Sequence, residues 1–276
     1  MKRLRLLFLA PSTLVVVLLL IAPLAVILFY SLLTRGAYGG VEFPYTFESY
    51  RRLADPLYLA VLLRSLILAG VATAVCLVLG FPLALFLSRS GRRKHLYLHL
   101  VMIQFWTSFL VRTYAWMFLL RDTGLFNTVL MGLGVVSEPL PLLYNWGAVL
   151  LGLVYGYLPF MVLPLFATLE RLDPHLLEAA ADLGARPAAT MFRVVLPLCA
   201  PGTRAGAILV FIPCLGAYLT PDLLGGSKTI LIGNVVQNQF TNARDWPFGS
   251  AASLALMIVV MAALLVWLRR EKERLL

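Results

Sequence analysis

The chain has 276 residues, 61% of them hydrophobic and 13% charged. Soluble chains carry about a quarter charged residues, so this composition excludes an ordinary soluble domain. The formal net charge of +10 raises nucleic acid as a partner, a reading that depends on where the charge lies along the chain. Cys76, Cys199 and Cys214 sit in or beside apolar runs without CxxC spacing, and read as small buried hydrophobes rather than a disulfide frame or a metal site.

Crossing the hydrocarbon core takes about twenty apolar residues. Six runs are assigned as spans: 6–33, 59–87, 96–120, 144–169, 198–219 and 251–268. The first follows Lys2, Arg3 and Arg5, as a signal peptide would, but it is too long and no small-residue cleavage site follows, so an uncleaved span is expected. Pro11 and Pro23 mark kink positions within it. Residues 34–58 read as a polar connection with Gly36, Gly39, Gly40 and Pro44, and the second span ends at the basic turn Ser88 to Lys94. The third span is rich in aromatics. In the connection 121–143, Leu125, Phe126, Val129, Leu130 and Leu133 share one face of a short interfacial helix. A second long polar connection, 220–249, precedes the last span. The whole of 1–276 thus reads as one all-α transmembrane domain.

Charge then sets orientation, because cytoplasmic loops carry an excess of Lys and Arg. The N-terminus, the 88–95 turn, the 170–204 region and the C-terminal tail together hold 15 basic and 6 acidic residues, a net charge of +9. The other side holds seven of each, and Arg112 lies within the third span. Both termini are therefore expected in the cytoplasm. Topology explains the charge, which leaves nucleic acid without support as a partner.

A polar island, 170–197, interrupts the apolar runs on the cytoplasmic side. Asp173-Pro174 is a helix start, Gly184 a left-handed helix end, and Arg186-Pro187 a second start. A helix-turn-helix at a membrane surface suits contact with a partner. Glu178-Ala179-Ala180, Gly184 and the terminal Leu196-Pro197 resemble the EAA loop of binding-protein-dependent ABC importer permeases, with Val194 where Ile is common. The resemblance implies a type I ABC importer permease fold in the bacterial cytoplasmic (inner) membrane, the loop docking on a separate ATPase dimer. Glu178, Ala179, Ala180, Gly184, Leu196 and Pro197 are the coupling residues it implies. It also implies a second permease subunit, an extracytoplasmic substrate-binding protein, and alternating access driven by ATP and Mg bound on the ATPase rather than on this chain.

Phe105-Trp106-Thr107-Ser108, followed by Arg112-Thr113-Tyr114-Ala115-Trp116, is similar to the third span of the polyamine branch of these permeases. So is Thr220-Pro221-Asp222-Leu223-Leu224-Gly225-Gly226-Ser227-Lys228-Thr229. Spermidine or putrescine is the cargo this implies, although Gln104 stands where Pro is expected, and Ala217 where the family often carries Glu. Arg112, a charge inside a span, is either functional or an arginine that snorkels or pairs with backbone carbonyls. Asp222 is either a substrate contact or a turn residue after Pro221. Trp106, Tyr157, Tyr218 and Asp222 are the candidate pathway residues, since aromatic faces and carboxylates both attract ammonium groups.

Gly225 to Thr229 imitates a phosphate loop but fails as one, because Ser227 and Asp222 hold the positions where Walker A needs glycine. Hydrolysis is thus expected on another subunit. No catalytic constellation is present in the sequence, and His95 and His99, one turn apart, read as interfacial rather than metal ligands. Gly152-x-x-x-Gly156 and Gly202-x-x-x-Gly206 permit close helix approach within this chain or with another. Ferric iron, another organic cation or an amino-acid-like solute stand as other cargoes, and an ion-coupled secondary transporter or a membrane scaffold as other classes.

Overall fold

The computed structural model describes residues 2–275, with side-chain surroundings for residue 11 and residues 14–265. The chain opens on α1, Lys2–Ser31. An antiparallel hairpin follows, β1 Leu33–Arg35 and β2 Val41–Tyr45, with Arg35 opposite Val41. The sequence predicts only a polar connection here. The hairpin forms because Gly39 and Gly40, at φ of +93° and +81°, make a turn that side chains resist. The short α2, Glu48–Leu53, leads to α3, Pro56–Arg89, whose first turn is capped by Asp55 accepting from the Leu57 amide at 2.8 Å.

The predicted third span is not one helix. It divides into α4, Lys94–Met102, and α5, Phe109–Leu120, with a tight turn at Ile103–Trp106 and extended backbone at Thr107 and Ser108. Thr107 donates its hydroxyl to the Gln104 carbonyl at 2.9 Å, a local bond that competes with helix continuation. Next come α6, Leu125–Gly132, and the long α7, Trp146–Glu170. The polar island forms α8, Pro174–Asp182, and α9, Pro187–Thr190, continued by a π turn at Met191–Val195 and by α10, Leu196–Leu198. That stretch meets α11, Ala200–Leu215, at a 65° bend, so the predicted fifth span is the second limb of a bent pair. A second π turn, Pro221–Gly225, precedes α12, Ile232–Thr241, and α13, Trp246–Leu275. Leu14–Ser31, α3, α7 and Trp246–Leu265 are each long and apolar enough to cross a membrane, and the bent pair is a fifth such element.

The chain packs as two compact units. In the first, residues 1–60 with 235–276, α1 lies along α13, and the hairpin and α2 also pack on α13. Its polar anchor is Asp245, 2% exposed, which accepts from Arg52 Nη1 at 2.8 Å and from the Phe248 amide at 3.1 Å. The guanidinium also sits 4.4 Å over the Phe248 ring. Burial opposes the charge on Arg52, and the hydrogen bonds and Coulombic attraction of Asp245 and Tyr58 together outweigh it, holding the guanidinium above its ordinary value.

The second unit, residues 61–234, is built around α7. Small residues bring the neighbouring helices close. A β-carbon on Gly80 of α3 would come 3.1 Å from Met161, and one on Gly206 of α11 would come 2.7 Å from the Met161 sulfur. Both glycine pairs pack within the chain: Gly152 faces Thr220 and Leu224, and Gly156 faces Phe109. An ion pair between Lys94 and Glu170 ties the start of α4 to the end of α7. The basic turn and the base of the polar island therefore leave this unit at one end.

Candidate functional site

At that end, α8 and α9 make a compact helical hairpin. Asp173 caps α8 by accepting from the His175 amide at 3.0 Å, with Pro174 in the first turn. The far end closes in a Schellman pattern, the Gly184 amide bonding to Ala181 O at 2.8 Å and the Ala185 amide to Ala180 O at 3.0 Å. Gly184 holds φ at +74°, where a β-carbon would be strained by its own backbone. α8 packs against α9 and the π turn, and Ala180 is the residue it buries. Glu178 and Ala179 stay exposed, as do Leu196 and Pro197 in the second limb. Glu178 lies beside the His175 ring, Oε2 to Nδ1 3.1 Å, a pairing the sequence reading missed.

The same reading also missed Leu183, 88% exposed at the tip, and Phe192, which is exposed on the second limb. The signal was present in the sequence: a leucine directly before the helix-ending glycine has nothing behind it to pack on.

The pathway candidates fall into three places. Trp106, also 88% exposed, stands at the break between α4 and α5. Tyr157 of α7 is half-buried in an aromatic cluster, 6.2 Å from Phe109 and 6.2 Å from Phe160. Tyr218 and Asp222 share the turn that opens the second π segment, the Asp222 amide bonding to Tyr218 O at 3.0 Å, and both side chains are exposed. Ala217 beside them is buried. The π turn is held from two sides: Leu224 O accepts from the Tyr144 amide at 2.9 Å, and Tyr218 O from Asn234 Nδ2 at 2.8 Å. Tyr144 itself adopts φ of +58°, uncommon for a residue with a side chain.

Asn127 of α6 is a further polar residue that sequence reasoning passed over. Fully buried, it donates to Leu140 O at 2.9 Å and Arg121 O at 3.2 Å and accepts from the Leu140 amide at 2.9 Å. It thereby holds the 121–143 connection in a fixed loop. Its partners lie up to 13 positions away, beyond the reach of helical periodicity.

The chain belongs to the binding-protein-dependent transport system inner membrane components, whose family model matches residues 76–271. It is 45% identical to the spermidine/putrescine transport system permease protein PotB of Escherichia coli (strain K12), over 93% of this chain and 94% of that one. Against PotB of Haemophilus influenzae the identity is 43%, over 91% and 88% of the two chains. The inner membrane ABC transporter permease protein YdcU of E. coli is 36% identical over 92% and 88%. Among solved structures, a bacterial ABC transporter involved in import of the acidic polysaccharide alginate superposes with a TM-score of 0.76 at 17% identity, over 99% of this chain and 96% of that one. That likeness concerns the fold alone. The protein is therefore an inner-membrane permease subunit of an ABC transporter.

Proposed function

We propose that this permease carries polyamines of the spermidine and putrescine type into the cell, coupled to ATP hydrolysis on a separate ATPase dimer. The observation that carries the cargo is the 45% identity to PotB across nearly the whole of both chains, shared by two PotB proteins of different organisms at similar levels. The α8–α9 hairpin is the lever. Glu178 and Ala179 present the outer face of α8, Ala180 locks it to the second limb, and Gly184 fixes the turn. Leu196 and Pro197 join the lever to the 65° bend before α11, so a push on the hairpin is transmitted to a helix packed against α7. Leu183 and Phe192 add the apolar part of the docking surface. ATP and Mg bind on the ATPase, and a second permease completes the path. An extracytoplasmic binding protein delivers the amine, which passes Trp106, Tyr157, Tyr218 and Asp222.

The test is uptake of labelled spermidine and putrescine in cells lacking the chain, with the chain restored, and after ATP depletion. Uptake that returns with the chain and vanishes without ATP is the expected result. ATP-driven growth on other solutes without any polyamine uptake would overturn the cargo while leaving the coupling intact.

A further inference from the structure

Arg112 lies in the first turns of α5, and its surroundings are unusual for a charge within a membrane run. Its Nε and Nη1 are buried and have no hydrogen-bond partner. The guanidinium meets ring faces instead, its carbon 5.6 Å from the centroid of Phe109 and 5.9 Å from that of Phe105. Those two rings end a continuous aromatic chain. Phe105 meets Phe160 at 5.0 Å, Phe160 meets Tyr157 at 6.2 Å, and Tyr157 meets Phe109 at 6.2 Å. Arg112 bridges the two end rings, Phe105 and Phe109, and Phe160 and Tyr157 pack behind them.

Leaving buried donors unmade is costly, and a cation inside a membrane protein ordinarily takes carboxylates or carbonyls. Ring quadrupoles within about 6 Å offset part of that cost without hydrogen bonds. A site of this kind selects for positive charge and little else, so it accepts an alkylammonium as readily as a guanidinium. Arg112 is only half-buried, which leaves it a side on which to withdraw.

We propose that the faces of Phe105 and Phe109, backed by Phe160 and Tyr157, form an ammonium-binding cage on the transport path, which Arg112 occupies as a tethered cation until an amine takes its place. This rests on the polyamine reading above. The exchange makes and breaks no covalent bond, and one positive charge replaces another. A second ammonium on the same cargo repels the displaced guanidinium and keeps it out. Free amine at low concentration competes poorly with a tethered group, whereas a docked binding protein supplies a high local concentration. The cage thus favours amine delivered by the binding protein over amine arriving alone.

The experiment is equilibrium binding of radiolabelled spermidine to the purified complex with its partner subunits, without the binding protein. Arg112→Met is expected to bind spermidine at least tenfold more tightly than the native complex, and Arg112→Lys within threefold of native. Adding Phe109→Leu to Arg112→Met should return affinity to the native level. No gain in Arg112→Met, or a gain that survives loss of the ring, overturns the proposal. Arg112→Gln carries the same comparison if the Met variant does not assemble, and failure of both to assemble shows a packing role and overturns it too. ATP-driven spermidine uptake by the native complex with its binding protein is run in parallel. Its absence would sink the polyamine reading, whereas its presence with no affinity gain sinks the cage alone.

Discussion

Gly184 carries more of the hairpin's geometry than the alanines before it. A β-carbon there would meet nothing within 4 Å, so a substitution is opposed by backbone strain alone, about 1–2 kcal/mol for the left-handed region. Gly184→Val is expected to insert and accumulate at native levels while ATP-driven uptake falls at least fivefold. Gly184→Asn, which tolerates the same conformation, should retain most of it. Quantitative immunoblots of membranes beside uptake rates make the comparison, and native uptake by the valine variant would remove the turn from the coupling role. Leu183, next to it, is nearly free of its own chain. Leu183→Asp should therefore leave abundance unchanged and lower the amount of ATPase that co-purifies by several-fold. Undiminished ATPase recovery would show that the tip lies outside the contact.

At the scale of elements, the helices around α7 owe their approach to missing side chains, and the two kinds of glycine separate cleanly. A β-carbon on Gly206 would lie 3.2 Å from the Met161 backbone as well as against its sulfur, and Met161 is fully buried. Overpacking of this kind costs about 1–3 kcal/mol, so Gly206→Ala should lower the melting temperature of the detergent-solubilised protein. Gly70 of α3 has nothing within 4 Å of such an atom, and alanine is favoured over glycine in a helix interior by up to about 1 kcal/mol. Gly70→Ala should melt no lower than native. A Gly206→Ala protein as stable as Gly70→Ala would refute the close packing of α11 on α7. Sequence reading found the Gly202 and Gly206 pair but could not name its partner, because the contact joins segments some forty residues apart. Local chemistry made the α8 caps legible: Asp173, Pro174 and Gly184 each act within a turn of their own position. The break at 103–108 and the two π turns were hidden for the opposite reason. Hydropathy averaged over the third run does not register the break, which Thr107 and the packing of α5 on α7 make, and the π turns at 191–195 and 221–225 carry no local residue signature of their own.

At the scale of the whole molecule, the broken third run decides how many times the chain crosses the membrane. Among the described residues, four helices and one bent pair pass on length and composition, and five crossings would put the two termini on opposite faces. The Lys94–Glu170 ion pair argues otherwise. It holds the start of α4 and the end of α7 at one end of their unit, so the chain between them must cross an even number of times. α7, with 25 residues, is long enough to cross once, and on that count the segment from α4 to α5 is expected to cross once as well. Its length suffices: nine helical residues, four in the tight turn, two extended and twelve helical give roughly 45 Å of contour against a core of about 30 Å. Six crossings are the count expected from the excess of Lys and Arg, since an even number would place both termini on the side to which the sequence assigns the net charge of +9. Alkaline phosphatase, active only outside the cytoplasm, reads this directly. A fusion after Glu138 is expected to be active, and fusions after Arg186 and at the C-terminus silent, with green fluorescent protein giving the reverse pattern. An active C-terminal fusion would make the count odd. The α4–α5 segment would then enter and leave the same face, and the α8–α9 hairpin would lie on the side away from ATP, where it could not serve as the lever.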